Sequence, residues 1–105
     1  MSDNNNSNHP YVILRGYRSG VNAGYLIERN DDTLVLAESR RIWYWDGAAS
    51  LAEIAVYGCA EDRRKNCKFT VSLERHEIQR SDVSEIIHCQ PEGQAMIQGQ
   101  ESWRA

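Results

Sequence analysis

The chain has 105 residues, of which 41% are hydrophobic, and its formal net charge is −3. This length suits one domain with one modest core, and the negative charge argues against a general nucleic-acid-binding protein. No apolar run approaches the roughly 18–20 residues that span a bilayer, so we expect no membrane association.

The N-terminal segment MSDNNNSNHP, residues 1–10, is polar and lacks the basic-then-apolar pattern of a signal peptide. It predicts a disordered tail, followed by a single domain over residues 11–105. The three cysteines, Cys59, Cys67 and Cys89, form an odd set, which argues against a secreted disulfide framework. We therefore expect a cytoplasmic protein.

The first half of the domain has the pattern of strands and turns. YVILRGYR (11–18) is rich in β-branched and aromatic residues, SGVNAG (19–24) is turn-like, and YLIERN (25–30) predicts a second strand. After the turn NDD, the segment TLVLAESRRIWYW (33–45) predicts a long third strand with a bulge or bend near ESRR.

The second half begins with a helix. Ser50 and Glu53 have capping-box spacing, and the helix predicted over 51–57 stops at Gly58. KFTVSLERHEIQ (68–79) alternates between apolar and polar residues and predicts a fourth strand, and VSEIIHC (83–89) predicts the last one.

Pro91 favours a weak terminal helix through about residue 97. The resulting order, β-β-β-α-β-β with a possible final helix, predicts a mainly β (α+β) domain. Its expected form is a small five-stranded antiparallel barrel with one inserted short helix and a possible C-terminal helix.

A resemblance to a known family rests on the string R-R-I-W-Y-W-x-G-A-x-S-L. It is carried here by Arg40 to Trp45, Gly47, Ala48, Ser50 and Leu51, and the triplet Cys67-Lys68-Phe69 adds to it. The chain resembles, over most of residues 12–103, a family of small uncharacterised proteins from tailed bacteriophages and prophages. The resemblance implies a phage context and no particular activity.

The strand plan is also similar to that of Sm-like and SH3-like barrels. The resemblance to Sm-like proteins implies rings built by pairing the last two strands between subunits, and binding of RNA or nucleotides. The sequence departs from this plan because it has no opening helix, lacks the Asp/Asn-based nucleotide motif and carries the inserted helix at 51–57. Sm-type RNA contacts are therefore not transferred to it.

The segment RRIWYW is the main candidate for ligand contact. Strand alternation places Arg41, Trp43 and Trp45 on one face and Arg40, Ile42 and Tyr44 on the other. Because Ile42 continues the register of the preceding leucines, its face is expected to supply core. The opposite face is left for packing under the helix or for a ligand. An indole can stack on a base, and a guanidinium can bind a phosphate.

A second candidate is the glycine-rich segment RGYRSGVNAGY. It predicts either an ordinary hairpin turn or an anion cradle made of backbone N–H groups. The predicted ligand-binding residues are Arg15, Tyr17, Arg18, Arg40, Arg41, Trp43 and Trp45.

Catalysis and metal binding are not expected. The possible metal ligands are the three cysteines with His76 and His88, and they lack the paired spacing of structural zinc sites. No hydrolase, zinc-protease or P-loop motif occurs in the sequence. We therefore expect no cofactor and no enzymatic activity.

These observations favour a phage-encoded, non-enzymatic counter-defence protein in the host bacterial cytoplasm. It would sequester a small anionic nucleotide-type signalling molecule, such as a cyclic oligonucleotide or an ADP-ribose derivative. The strand at 83–89 is apolar on both faces, so it predicts a homo-oligomer, whose subunit interface could enclose a ligand. The alternatives are an inhibitor or accessory protein that binds a host protein, and an Sm-like RNA-binding ring.

Overall fold

The computed structural model describes residues 6–105. Within them the strands are β1 (Tyr11–Gly16), β2 (Val21–Arg29), β3 (Thr33–Tyr44), β4 (Lys68–Phe69), β5 (Leu73–Gln79) and β6 (Val83–His88). The α-helices are α1 (Leu51–Tyr57) and α2 (Pro91–Gly99), and short 3-10 turns occupy Asn6–Asn8, Glu61–Asn66 and Arg80–Asp82.

The strands form one antiparallel sheet around the long β3. The order runs β6, β1, β2, β3, and β3 pairs on its other edge with β5 along its first part and with β4 at its end. Register shifts between β2 and β3 mark the bulges that bend the sheet. The prediction of a mainly β, α+β, barrel-like domain is confirmed, with six strands in place of five.

Alternate faces of the sheet bury two apolar clusters. Ile13 and Ile42 face the cluster that the helices cover, together with Phe69 of β4. Leu14 and Leu36 face a second cluster on the other side. The two clusters arise because successive side chains of a strand point to opposite faces. Strand β1 is buried on both faces over its first four residues.

The strand predicted over 68–79 is divided in two. Phe69 is buried, but Val71 and Leu73 are exposed, so the expected shared apolar face is not formed. The Thr70 N–H still donates to the Arg41 carbonyl of β3 at 3.0 Å, but the Thr70 carbonyl accepts a hydrogen bond from the Arg40 side chain at 2.8 Å, and pairing with β3 resumes only at Leu73. This contact comes from a distant residue, so alternation alone predicts the wrong strand length.

The predicted turn over 19–24 is shorter than expected. Strand β2 already begins at Val21, and Asn22 and Ala23 are buried. Gly24 lies inside the strand, at a point where a Cβ would come within 2.8 Å of the carbonyl oxygen of Ala37. Its glycine allows close approach of β3 and does not form a turn.

Both helices agree with their sequence signals. The Ser50 hydroxyl accepts a hydrogen bond from the N–H of Glu53 at 3.2 Å, and Gly58, with φ of 80°, donates its N–H to Ile54. Helix α2 begins with Pro91 and extends two residues beyond the predicted end.

The predicted N-terminal tail lies partly outside the described residues, which begin at Asn6. The Asn6 amide donates to Glu38 at 2.9 Å, and the carbonyl of Pro10 accepts a hydrogen bond from the N–H of Leu26 at 2.8 Å. The folded part therefore begins before residue 11. Across residues 6–105, no helix has the length and apolar character to cross a membrane.

Candidate ligand-binding groove

A groove of about 510 Å³ lies where the β1–β6 pair meets the start of α1. Its lining residues are Arg15, Val21, Trp45, Ser50, Leu51, Ala52, Glu85 and Ile87. This volume falls in the range of roughly 300–1,000 Å³ that is usual for small-molecule sites. The groove combines apolar side chains with two opposite charges.

Trp45 is placed by the end of β3 and the turn before α1. Its indole N–H donates to the carbonyl of Ala48 at 3.2 Å, which fixes the ring orientation. The ring packs against the core cluster under α1 and also lines the groove. Trp45 therefore combines the two roles that the sequence left open, helix packing and a possible ligand contact.

Arg15 and Glu85 are register partners in the β1–β6 pair. Their side chains form an ion pair at 3.5 Å, and both are more than half exposed. An exposed pair at this distance contributes little to stability. Both charged groups can therefore exchange this contact for a ligand contact at small cost.

A slightly smaller depression of about 460 Å³ shares the same two charged residues. It is also lined by Gly16, Tyr17 and Ser84, and the Tyr17 side chain is 85% exposed. The structure thus brings Arg15, Tyr17 and Trp45 to two adjacent depressions that meet at Arg15.

The predicted anion cradle in the β1–β2 turn is filled by the protein itself. The carboxylate of Asp82 accepts hydrogen bonds from the backbone N–H groups of Arg18 and Ser19, and from the Ser19 hydroxyl, at 2.7 to 3.0 Å. The hydrogen bonds from Ser19 contribute most to holding the pKa of Asp82 below its usual value. The N–H groups that sequence analysis assigned to a ligand are therefore occupied by an internal anion.

Arg40 is buried and structural. It lies on the inward face with Ile42, as strand alternation predicts, and is only 4% exposed. Its guanidinium donates to the carbonyl oxygens of Phe69, Thr70, Ile97 and Gln100 and to the Ser102 hydroxyl. These bonds tie β3 to the C-terminal segment and leave Arg40 outside the groove.

The side chains of Arg41, Trp43 and Tyr44, the other residues of RRIWYW, do not share one site. Arg41 donates from Nε to the side chain of Asn22 at 3.2 Å, beside the β1–β2 turn. Trp43 is 63% exposed and does not line the groove. The prediction that Tyr44 serves the core is wrong, because a register shift after Ile42 leaves its side chain half exposed.

The cysteines are buried or half-buried. Burial raises the pKa of Cys59 to about 12, and its hydrogen bond with Cys67 adds to the effect. Burial also raises the pKa of Cys89 to about 12. The thiols of Cys59 and Cys89 therefore stay protonated and unreactive at neutral pH. Over residues 6–105, no three His, Cys, Asp or Glu side chains gather in a way that could hold a metal ion.

Sequence reasoning missed Glu85 and the apolar floor of the groove. The floor comes from Val21 on β2, Leu51 on α1 and Ile87 on β6. Leu51 and Ile87 were expected in a helix and a strand, but nothing local indicates that β6 pairs with β1. The charge of Glu85 opposite Arg15 becomes visible only when that pairing is known.

The fold and the groove together define a small barrel-like antiparallel domain with a candidate small-molecule site at the β1–β6 edge. A family model described as a domain of unknown function (DUF6948) matches residues 9–97. The chain belongs to this family, and the match runs from just before β1 into α2, so it includes the whole groove. No curated protein and no solved structure matches the chain.

Proposed function

We propose that the chain is a non-enzymatic binding protein for a small anionic nucleotide-type molecule, held in the groove at the β1–β6 edge. One observation carries the proposal: the Trp45 ring and the Arg15 guanidinium line one groove with an apolar floor. A ring for stacking beside a cation for phosphate suits a nucleotide.

Each charged group of the groove has a role in this proposal. Arg15 leaves its weak ion pair and contacts a ligand phosphate with two parallel hydrogen bonds. Glu85 then accepts hydrogen bonds from ribose hydroxyls or from an exocyclic amine of the base. The paired opposite charges favour a ligand with both anionic and donor groups over a simple anion.

The proposed biological role is counter-defence by a phage in the host bacterial cytoplasm. The phage context is an expectation from the sequence resemblance, and sequestration requires tight binding without catalysis. The ligand class is a cyclic oligonucleotide or an ADP-ribose derivative, because both carry bases, phosphates and free hydroxyl groups.

Isothermal titration calorimetry against a panel of cyclic oligonucleotides and ADP-ribose derivatives tests the proposal. We expect at least one compound to bind at micromolar concentration or better. Arg15→Gln is expected to weaken that binding about tenfold or more, since a charge-assisted hydrogen bond contributes about 1.5–3 kcal/mol. Trp45→Ala is expected to cost about 1–3 kcal/mol of binding free energy for each base that stacks.

Two matched variants control for charge and for indole loss. Arg29→Gln removes an exposed cation at the end of β2, and Trp43→Ala removes an exposed indole outside the groove. Neither should change the affinity by more than about twofold. Absence of micromolar binding across the panel, or equal effects of the groove and control variants, would count against the proposal.

A second candidate function is binding of a host protein. The observation that favours it is a set of exposed aromatic side chains, Trp43, Tyr44 and Trp103, near the β3–β4 pair, where Lys68 lies 5.3 Å from the Trp103 ring centre. Aromatic residues are enriched in protein interfaces. A stoichiometric protein recovered from host lysate by the wild type and lost with Trp43→Ala supports this candidate, and a nucleotide released on denaturation supports the first.

The third candidate function, an Sm-like RNA-binding ring, can be distinguished from the other two by the salt dependence of binding. Binding that depends on backbone phosphates weakens steeply as the salt concentration rises. A filter-binding assay with single-stranded RNA over a salt series therefore distinguishes it from stacking in the groove.

A further inference from the structure

A second cavity, of about 210 Å³, lies at the other end of β1 from the groove residue Arg15, against the C-terminal segment. Its lining residues are Tyr11, Glu38, Arg40, Ser72, Gln98, Gln100 and Ser102. Every one of these side chains carries a polar group. A cavity with this lining is suited to a small polar molecule and poorly suited to an apolar one.

Arg40 gives this cavity a positive charge that is not held in an ion pair, although the Glu38 carboxylate also lines the cavity. Its five N–H donors bond to carbonyl oxygens and to one serine hydroxyl, all of them uncharged. None of the ion pairs found over residues 6–105 includes Arg40. A buried cation normally has an anionic partner, so the field of Arg40 favours an anion in the cavity.

Tyr11 supplies an unused hydrogen-bond donor at the same place. Tyr11 is only 4% exposed. Its hydroxyl is the one buried side-chain polar atom in the described chain without a hydrogen-bond partner. Burial raises the pKa of Tyr11 well above its usual value, so the hydroxyl stays protonated. Buried polar groups are almost always satisfied, and this exception calls for a partner.

Glu38 places an acceptor on the cavity lining. Its backbone has φ of 53°, the one positive value at a non-glycine residue of the described chain. This conformation falls at the bulge where the register between β2 and β3 shifts. The carboxylate accepts one hydrogen bond from Asn6 and has further lone pairs for a ligand donor.

From these contacts we infer a second binding site, which takes a small carboxylate that also bears an N–H or O–H donor. The ligand carboxylate accepts from the Tyr11 hydroxyl in the field of Arg40, and its donor bonds to Glu38.

Thermal unfolding and amide NMR titration of the full chain with four probes test this inference. Lactate and glycine carry a carboxylate and a donor, acetate lacks the donor, and glycinamide lacks the carboxylate. We expect lactate or glycine to raise the melting temperature and to shift the amide signals of residues 97–102. Acetate should bind more weakly, and glycinamide should not bind.

Tyr11→Phe removes the hydroxyl and keeps the ring that packs edge-on against Tyr25. Without ligand, it should be as stable as the wild type or more stable, because it removes an unsatisfied group. With the bound probe, it should lose about tenfold in affinity. Tyr57→Phe, which alters an exposed hydroxyl outside the cavity lining, is the control and should bind like the wild type.

Three results would overturn the inference. They are no binding of any carboxylate probe to the wild type, unchanged affinity in Tyr11→Phe, and equal binding of glycinamide and glycine. All three are independent of nucleotide binding in the groove, since no residue lines both cavities.

Discussion

Arg40 shows how one residue can hold a fold together without an ion pair. Its guanidinium donates hydrogen bonds to carbonyl oxygens of the chain just after β4 and of the end of α2. Burial lowers the pKa of Arg40, and the nearby Tyr11 opposes that shift. The five hydrogen bonds offset the cost of burying this charge.

Replacing Arg40 should therefore damage stability more than any surface change. Arg40→Leu leaves several buried carbonyl groups without donors, and we expect a loss of about 3 kcal/mol or more in the free energy of unfolding. Arg40→Lys keeps the charge but not the planar array of donors, so its loss should be smaller yet clear. Urea unfolding measures both. Arg29→Gln serves as the surface control, and a loss no larger than in that control would contradict the structural role.

His76 predicts a pH dependence of stability. Its ring lies 2.9 Å from the hydroxyl of the buried Ser39, and burial, followed by the charge of Arg41, lowers its pKa. A lowered folded-state pKa means that the unfolded chain takes up the proton first as the pH falls. The contribution of His76 is therefore complete above its unfolded pKa of about 6.5 and is lost as the pH falls below it.

The measurement is urea unfolding at about pH 7.5 and about pH 5.5, which lie on either side of the pKa of histidine in the unfolded chain. His76→Gln should lose less stability between these two conditions than the wild type. His88→Gln changes an exposed histidine on β6 and should behave like the wild type. Identical pH dependence in the wild type and His76→Gln would rule out this contribution.

Helix α2 contains two glycines, Gly93 and Gly99, whose surroundings differ. A Cβ on Gly93 would overlap the carbonyl groups of Ile54 and Ala55 in α1, whereas a Cβ on Gly99 would meet no atom within 4 Å. Gly93 therefore sets the distance between the two helices. Gly99 has no such packing role.

Gly93→Ala and Gly99→Ala should consequently change stability in opposite directions. The first forces the helices apart and should cost about 1–3 kcal/mol. The second reduces the freedom of the unfolded chain and should add up to about 1 kcal/mol. Thermal unfolding of both variants gives the comparison, and a neutral Gly93→Ala would show that α2 does not pack on α1 as described.

The elements that could be predicted from the sequence are those with local signals. Helix α1 has its cap at Ser50 and its stop at Gly58, and both were recognised. The division of β4 from β5 coincides with the hydrogen bond from Arg40 to the Thr70 carbonyl, about 30 residues away in the sequence, so it has no local signal. The same holds for the site: Trp45 and Arg15 were identified by type, but their meeting depends on the closure of β6 onto β1.

At the scale of the whole molecule, the described sheet ends at β6 on one side and at β4 and β5, which both pair with β3, on the other. Ile86 and Ile87 of β6 pack against opposite core clusters and are each only partly buried. An edge strand with apolar side chains on both faces tends to pair with another chain. We propose that copies of this protein associate through the exposed edge of β6.

Light scattering during size-exclusion chromatography tests the association. We expect a mass that is a multiple of the 12.0 kDa chain and that falls on dilution. A monomeric mass at every concentration would reject the homo-oligomer. It would not affect the groove, whose lining comes entirely from one chain.

The place of β6 in the sheet has a consequence for how the chain folds. Strand β1 is the most buried strand, yet one of its two neighbours is residues 83–88, and Asp82 bonds to backbone N–H groups 63 and 64 positions earlier. Contacts between such distant residues slow folding, because a long loop must close before they form. During synthesis, the β1–β6 pair can form only after residues 83–88 have emerged. Until then, one edge of β1 has no strand partner and its backbone hydrogen-bonding groups on that side stay unpaired.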